Sequence, residues 1–347
     1  MPTLLSVDKL KKYFPMPRRS LFAPRTYLRA VEEITLDIQK GETFGLVGES
    51  GCGKSTLGRT ILQLYRPTSG SVVYYGEKEE GEDLTKCGAK QMRALRKDLQ
   101  IIFQDPYSSL NPRMTVGQII EEGVATHGFY KRGSAQMREY ICKVMKDCGL
   151  QEYALHRYPH QFSGGQRQRI GIARALALRP KFVVCDECVS ALDVSIQAQI
   201  LNLLAERKEK ENLTYLFISH DLSVVRHVSD RIGVMYLGKI VEMGKAEDVF
   251  SSPCHPYTIA LISAIPTLPA QSGEKGGEKA KTIILPGNMP SPVSPPSGCP
   301  FHTRCFMAKK CCERDPAPVI EVNKGHFVAC HFAKISTEEK KKNAGKR

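Results

Sequence analysis

Apolar and polar residues alternate over Leu4–Leu10 and again over Ala30–Ile38, the two-residue period of half-buried strands. Between them, Pro15–Arg25 is rich in Pro and Arg and reads as a loop. A short apolar run, Thr43–Val47, leads into a Gly-rich turn and a predicted helix over Ser55–Leu64. Residues 105–180 carry mostly helical spacing, with a helix expected at Arg167–Ala177. Two unbroken apolar runs follow, Phe182–Cys185 and Tyr215–Ser219, each after a helical stretch. Runs without alternation mark strands covered on both faces, and strands alternating with helices predict an α/β fold on a mainly parallel sheet. The pattern lapses near residue 265. Pro, Gly, Ser and Lys dominate Pro266–Gly298, including Gln271–Lys281, so this stretch reads as a linker, and a Cys-rich segment follows at 299–331. No internal repeat is visible.

Composition adds limits. The chain has 347 residues and 41% hydrophobic content, enough for one large domain and a smaller appendage. The formal net charge of +14 favours a polyanion: nucleotide, nucleic acid or an acidic membrane face. Part of that charge is local, in Arg18, Arg19 and Arg25 and in a tail, Glu338–Arg347, that carries five basic residues and is expected to be disordered. No run of about 18 apolar residues occurs, so a transmembrane helix is not expected. The N-terminal apolar stretch is short and broken by Asp8, unlike a secretory signal, which predicts a cytoplasmic protein. Twelve cysteines in a reducing compartment suggest thiols or metal ligands rather than disulfides.

Three motifs carry chemistry. GESGCGKST, Gly48–Thr56, fits G-x-x-x-x-G-K-[ST] between a strand and a helix. Its glycines let Glu49, Ser50, Gly51, Cys52 and Gly53 wrap their backbone N–H groups around phosphate, at the positive end of the following helix. Lys54 would neutralise the β- and γ-phosphates, the Ser55 hydroxyl would ligate Mg²⁺, and Thr56 closes the loop. About 130 residues later FVVCDE delivers two acids at a strand end: Asp186 to hold Mg²⁺ through water and Glu187 to polarise the attacking water as general base. FSGGQRQR is a second phosphate-binding helix start, in which Ser163, Gly164, Gly165 and Gln166 offer a hydroxyl and bare N–H groups. Within one chain both starts cannot grip the same γ-phosphate unless the fold brings them together.

FSGGQ resembles the signature motif of ATP-binding cassette (ABC) proteins, in which it closes over nucleotide held by a partner subunit. The rest of that family's set follows in order. Gln104 in IIFQDP matches the glutamine loop, which implies a catalytic and Mg²⁺-linked role. SALD, Ser190–Asp193, matches the loop after the second acid and implies a dimer contact at Asp193. His220 in FISHD matches the switch histidine, and Tyr13 in LKKYF matches the aromatic that stacks on adenine, with Tyr27 a rival after the loop insertion. Cys188 stands where the family has Pro after the catalytic acid. The phrases IIFQDPYSSLNPRMTV, GRTILQL, SPCHPYTIALISAIP and GCPFHTRC extend the resemblance over about residues 3–332, to the second type of ATPase subunit in oligopeptide and dipeptide importers.

The resemblance implies a P-loop ABC cassette with a parallel-sheet core, an N-terminal antiparallel β subdomain, a helical signature subdomain and a small Cys-rich extension. It implies a nucleotide-binding domain at 1–255 with its helical part at about 105–180. An importer-type C-terminal region and linker would occupy 256–298, the Cys-rich segment 299–334 and the basic tail 335–347. It implies ATP hydrolysis driving peptide uptake from the cytoplasmic face of the membrane. The implied partners are a second, non-identical ATPase subunit, two transmembrane permeases and, indirectly, an extracytoplasmic peptide-binding protein, with no nucleic acid. Alternatives are the ATPase of a nickel or other small-solute importer, and a soluble ABC ATPase acting on nucleic acid or ribosomes.

Cys299, Cys305, Cys312 and Cys330 follow the spacing C-x5-C-x6-C-x17-C. Four thiolates suit a [4Fe–4S] cluster or Zn²⁺, and His302 and His331 are substitute zinc ligands; free thiols are the third reading. Cys311 competes with Cys312 for the third position. In the resembled family the corresponding cysteines go with an iron–sulfur cluster. The segment's distance along the chain from Lys54 and Glu187 predicts that it stands apart from hydrolysis.

Overall fold

The structure, a computed structural model, describes residues 2–18, 22, 24–76, 80–190, 192–265 and 282–333. Residues 266–281 of the expected linker, the basic tail, Arg19 and Ala191 of the SALD loop lie outside the described residues. The chain forms two compact units and passes between them several times. One contains Met1–Leu10, Thr35–Phe44 and Gly58–Ser219; the other contains Lys11–Ile34, Gly45–Leu57 and His220–Arg347.

In the first unit the strands Leu99–Ile102, Phe182–Asp186 and Thr214–Ile218 lie side by side and parallel, with Leu99 opposite Phe182 and Asp186 opposite Ile218. All residues of the last two strands are buried, which is why they read as unbroken apolar runs. Asp186 thus ends a fully covered strand, at the carboxyl edge where open α/β sheets bind ligands. A separate four-stranded sheet pairs the outer parts of Thr3–Pro15 and Tyr27–Gln39 with Ser69–Tyr74 and the two-residue strand Glu82–Asp83. Helices Val116–Thr126, Ala135–Asp147 and Gly164–Leu176 form the helical part. The first two begin on side-chain caps, Thr115 and Ser134, each accepting a hydrogen bond from the backbone N–H three residues on. The third begins at Gly164, three residues before the expected Arg167. Ser163 caps it reciprocally with Gln166, so the glycines belong to the helix rather than to a preceding loop.

In the second unit Arg231–Tyr236 and Lys239–Lys245 form an antiparallel hairpin. Its two-residue turn is Leu237 and Gly238, both at positive φ (45° and 82°), the turn whose twist matches paired strands. The Cys-rich segment supplies two more strands. His326–Ala329 pairs with Lys239–Lys245, and Val319–Asn323 pairs outside it. The helix Pro256–Ser263 starts on His255, whose Nδ1 accepts the Tyr257 N–H at 3.1 Å. No helix among the described residues is long and apolar enough to cross a membrane.

Candidate functional site

The phosphate loop lies in the second unit. Gly48 and Gly53 sit at φ 150° and 109°, and a Cβ at either would fall 2.2 Å from the Met235 carbonyl or 2.0 Å from the Ala30 carbonyl. Only glycine lets the loop pack that closely. Lys54 is 3% exposed, and its Nζ donates to the Gly48 carbonyl at 2.7 Å and the Glu49 carbonyl at 3.0 Å. The loop itself therefore holds the ammonium in place. Ser50 and Gly51 are exposed at the tip, Ser55 and Thr56 are half-buried, and Cys52 is buried with its thiol pushed up by burial.

The acid pair lies in the first unit. Asp186 is fully buried; its Oδ2 accepts from Arg59 Nη2 at 3.1 Å and its Oδ1 has no hydrogen-bond partner. A buried carboxylate oxygen left unpaired is costly unless something positive meets it, so the residue fits Mg²⁺ or a water of its shell. Glu187 sits at φ 48°, and its Oε2 accepts from Gln104 Nε2 at 2.8 Å. The expected base and the expected glutamine are thus directly joined across 83 positions of sequence.

The signature helix is built into the same unit. Ser163 and Gln166 are exposed at its start, and a Cβ on Gly165 would meet Ile196 Cγ2 at 2.6 Å. Gln168 Nε2 donates to the Phe103 carbonyl at 3.4 Å, tying the helix to the residue before Gln104. Arg167 is buried, donating to the Pro159 and His160 carbonyls, and its guanidinium stacks 3.6 Å from the ring of Tyr107, which is 67% exposed. Asp193 is exposed at the N-terminus of the helix Val194–Glu211, and its side chain makes no cap hydrogen bond. Ser190 Oγ donates to the Glu187 carbonyl at 2.9 Å, bracing the backbone of the acid.

Tyr13 and Tyr27, the two adenine-stacking rivals, differ in setting. The Tyr13 hydroxyl donates to Glu32 at 2.7 and 2.8 Å, and burial together with that carboxylate holds the phenol up at about 12. Tyr27 is 42% exposed. His220 is exposed, two residues after the strand Thr214–Ile218.

In the second unit, Cys299, Cys305, Cys312 and Cys330 line one pocket together with Phe301 and Phe332; Cys311 does not reach it. Burial pushes the thiols of Cys299 and Cys330 up, and that of Cys305 up to about 11. Among the described residues, Glu242, Cys254 and His326 alone bring three such ligand atoms within 4.8 Å of one another, so no three of the pocket sulfurs do. A tetrahedral zinc with bonds of about 2.3 Å would draw its sulfurs to about 3.8 Å. His302 and His331 each spend a ring nitrogen on a backbone carbonyl, of Cys299 and Asp315. The donor set is four thiols lining one pocket, a set that suits either a [4Fe–4S] cluster or zinc.

Sequence reasoning missed two features here. Glu242, fully buried, accepts the N–H groups of Cys254 and His255 at 2.8 and 2.9 Å and pairs with His326 Nε2 at 2.7 Å, locking the new strand to the hairpin. The second joins the Cys-rich segment to the phosphate loop. Arg304 Nη1 meets both carboxylate oxygens of Glu49 at 3.0 and 3.1 Å, across 255 positions of sequence. A separation along the chain is not a separation in the fold, and no local pattern announces such a pair.

Residues 31–190 match the ABC transporter family, and residues 241–312 match the oligopeptide/dipeptide transporter C-terminal region. The chain is 49% identical over 332 residues to the oligopeptide transport ATP-binding protein AppF of Bacillus subtilis, covering 95% of this chain and 97% of AppF. The chain belongs to the ABC transporter family. It is 48% identical to the oligopeptide transport ATP-binding protein OppF of Escherichia coli, over 94% of this chain and 95% of OppF. Among solved structures, the ATP-binding cassette MJ0796, a dimer in a post-hydrolysis state bound to ADP and Pi, superposes with a TM-score of 0.62 at 26% identity, covering 70% of this chain and 99% of that one. As an ABC ATPase the chain takes ATP with Mg²⁺, on the α/β fold expected.

Proposed function

We propose that this chain is the ATP-hydrolysing motor of a peptide importer, working at the cytoplasmic face of the membrane beside two permeases and a second, non-identical ATPase subunit. The observation that carries the peptide cargo is the match of residues 241–312 to the oligopeptide/dipeptide transporter C-terminal region. The names of AppF and OppF point the same way. Neither the nickel nor the nucleic-acid alternative has comparable support.

The chain's own residues divide the work. Lys54 and the N–H groups of Glu49–Gly53 would bind phosphate, and Mg²⁺ would be held by the Ser55 hydroxyl and, through water, by Asp186. Glu187 takes the proton of the attacking water. The bond from Gln104 orients its carboxylate for that transfer, and His220 senses the γ-phosphate. Tyr13, its hydroxyl fixed by Glu32, offers its ring to adenine. Ser163, Gln166 and Asp193 are exposed, Gly164 and Gly165 half-buried, and this helix start would face the partner's nucleotide across the dimer. Cys299, Cys305, Cys312 and Cys330 hold a [4Fe–4S] cluster, which supplies structural cross-links when bound. The support for it is the pocket shared by four thiols, in a sequence spacing that lacks the tight C-x2-C pair usual at zinc.

The test is isolation of the native complex. Permeases and a second ATP-binding subunit are expected to accompany the chain, and RNA or ribosomal proteins in their place overturn the reading. Protein made anaerobically should carry about four irons and four sulfides per chain; stoichiometric zinc without iron removes the cluster and leaves the ATPase reading intact.

A further inference from the structure

We propose that Arg304 is a positioning residue for ATP binding, through which the Cys-rich segment sets the phosphate loop. Glu49, the first variable residue of that loop, is held at three points. Its carbonyl accepts from Lys54 at 3.0 Å, its N–H donates to the Tyr257 hydroxyl at 2.8 Å, and its carboxylate takes Arg304 at 3.0 and 3.1 Å. Two of the three anchors come from outside the motif. Arg304 is 7% exposed and is itself oriented, with Nε donating to the Pro286 carbonyl at 3.2 Å and the guanidinium 6.0 Å from the Tyr236 ring. Phe301, three residues earlier, packs edge-on against Tyr236 at 5.1 Å and tilted against Tyr257 at 5.4 Å. The turn between Cys299 and Cys305 therefore supplies one of the two outside residues that hold Glu49, Arg304, and packs through Phe301 on the other, Tyr257.

The physical reason for such a clamp is charge. A carboxylate inside a loop built to bind a polyphosphate repels its ligand, and the repulsion grows where solvent screens poorly. Arg304 neutralises that carboxylate and keeps it turned away from the loop's inward N–H groups. A charge-assisted contact, here one guanidinium nitrogen shared between both carboxylate oxygens and its arginine largely buried, has more effect than a fully exposed pair. The loop is thereby preorganised, so less ordering is left for nucleotide binding to accomplish. This inference rests on the reading of Gly48–Thr56 as the phosphate loop.

Binding of a fluorescent ATP analogue with Mg²⁺ to the full chain tests it. Arg304→Met should weaken binding about tenfold, equivalent to about 1.4 kcal/mol, and the loss should grow as salt is lowered. The double variant Arg304→Met/Glu49→Gln should recover most of that loss, because the uncompensated charge is gone. Arg304→Lys should stay within about threefold of the original protein. A purely structural role predicts the reverse: the double variant would bind no better than the single one, and that result overturns the proposal, as does unchanged binding by Arg304→Met. If Arg304→Met does not fold, Arg304→Gln read against Arg304→Lys carries the same decision. Lys54→Ala separates the two readings: binding that survives it removes the phosphate-loop assignment, whereas its loss there with no effect at Arg304 removes only the clamp.

Discussion

Replacing Glu187 with Gln removes the proposed base while sparing almost everything else the structure assigns to that position. The Gln104 amide now donating to Glu187 Oε2 at 2.8 Å can donate to the carbonyl oxygen of a glutamine in the same place. The backbone at φ 48° carries the same strain with either side chain, since both are unbranched at Cβ. Stability should therefore change by no more than about 0.5 kcal/mol, the range of a substitution that breaks no buried contact. Chemistry should change far more. Losing a general base costs on the order of 10²–10⁴ in rate, or about 3–5 kcal/mol of barrier. The assay is phosphate release by the assembled complex under saturating MgATP, with nucleotide binding and thermal unfolding measured in parallel. Expected are wild-type binding, an unchanged melting midpoint, turnover reduced at least a hundredfold, and accumulation of the closed dimer with ATP. Turnover within about twofold of the original protein would refute the assignment of Glu187.

Two further outcomes follow from the geometry. Ser163→Arg should abolish turnover in the assembled dimer while ATP binding at Lys54 is kept, whereas Ser163→Ala, which loses only the helix cap at about 1 kcal/mol, should retain far more activity; equal effects of the two would remove the role across the dimer. Burial holds His255 down at about 4 against an ordinary 6.5, its neutral Nδ1 being the cap acceptor, so stability is unaffected above pH 6.5 and falls as pH drops toward 4 because the unfolded chain takes the proton first; about 2 kcal/mol should be lost by pH 5 relative to His255→Asn, and parallel urea midpoints of the two proteins at pH 7.5 and 5 would contradict this.

Chemistry that sits inside one stretch of chain was legible. Thr43–Val47 is the strand the apolar run announces, and Phe182–Asp186 extends the announced strand by one residue. Gly48, Lys54, Asp186 and Glu187 could be named because their spacing follows from local backbone requirements. Boundaries set by capping moved: Ser163 pulls its helix back to Gly164. Short or polar strands stayed hidden. Glu82–Asp83 has no apolar residue, and Val319–Asn323 and His326–Ala329 carry His, Asn and Glu that only the partner strand explains. The choice between Cys311 and Cys312 needed the fold, since neighbours on a short helix face different ways and only Cys312 is turned into the pocket. The pair of Arg304 with Glu49 had no local signal at all.

The way the Cys-rich segment is attached changes what loss of its thiols would do. A segment hanging on a linker with four thiols as its only cross-links would unfold when one is removed and leave the phosphate loop untouched. This segment has other fastenings. His326–Ala329 is hydrogen-bonded into the sheet, His326 is paired to the buried Glu242, and Val328 and Ala333 pack on Cys254. That pair is buried and hydrogen-bonded, so the hairpin has reason to stay folded without the thiols. The turn Cys299–Cys305 has less: Phe301 in its aromatic cluster, Arg304 on Glu49, and the cysteines themselves. Cys305→Ser should accordingly loosen that turn first, and the loosening is transmitted where the turn is anchored, at the phosphate loop. The thiols then matter to ATP binding through the position of Arg304.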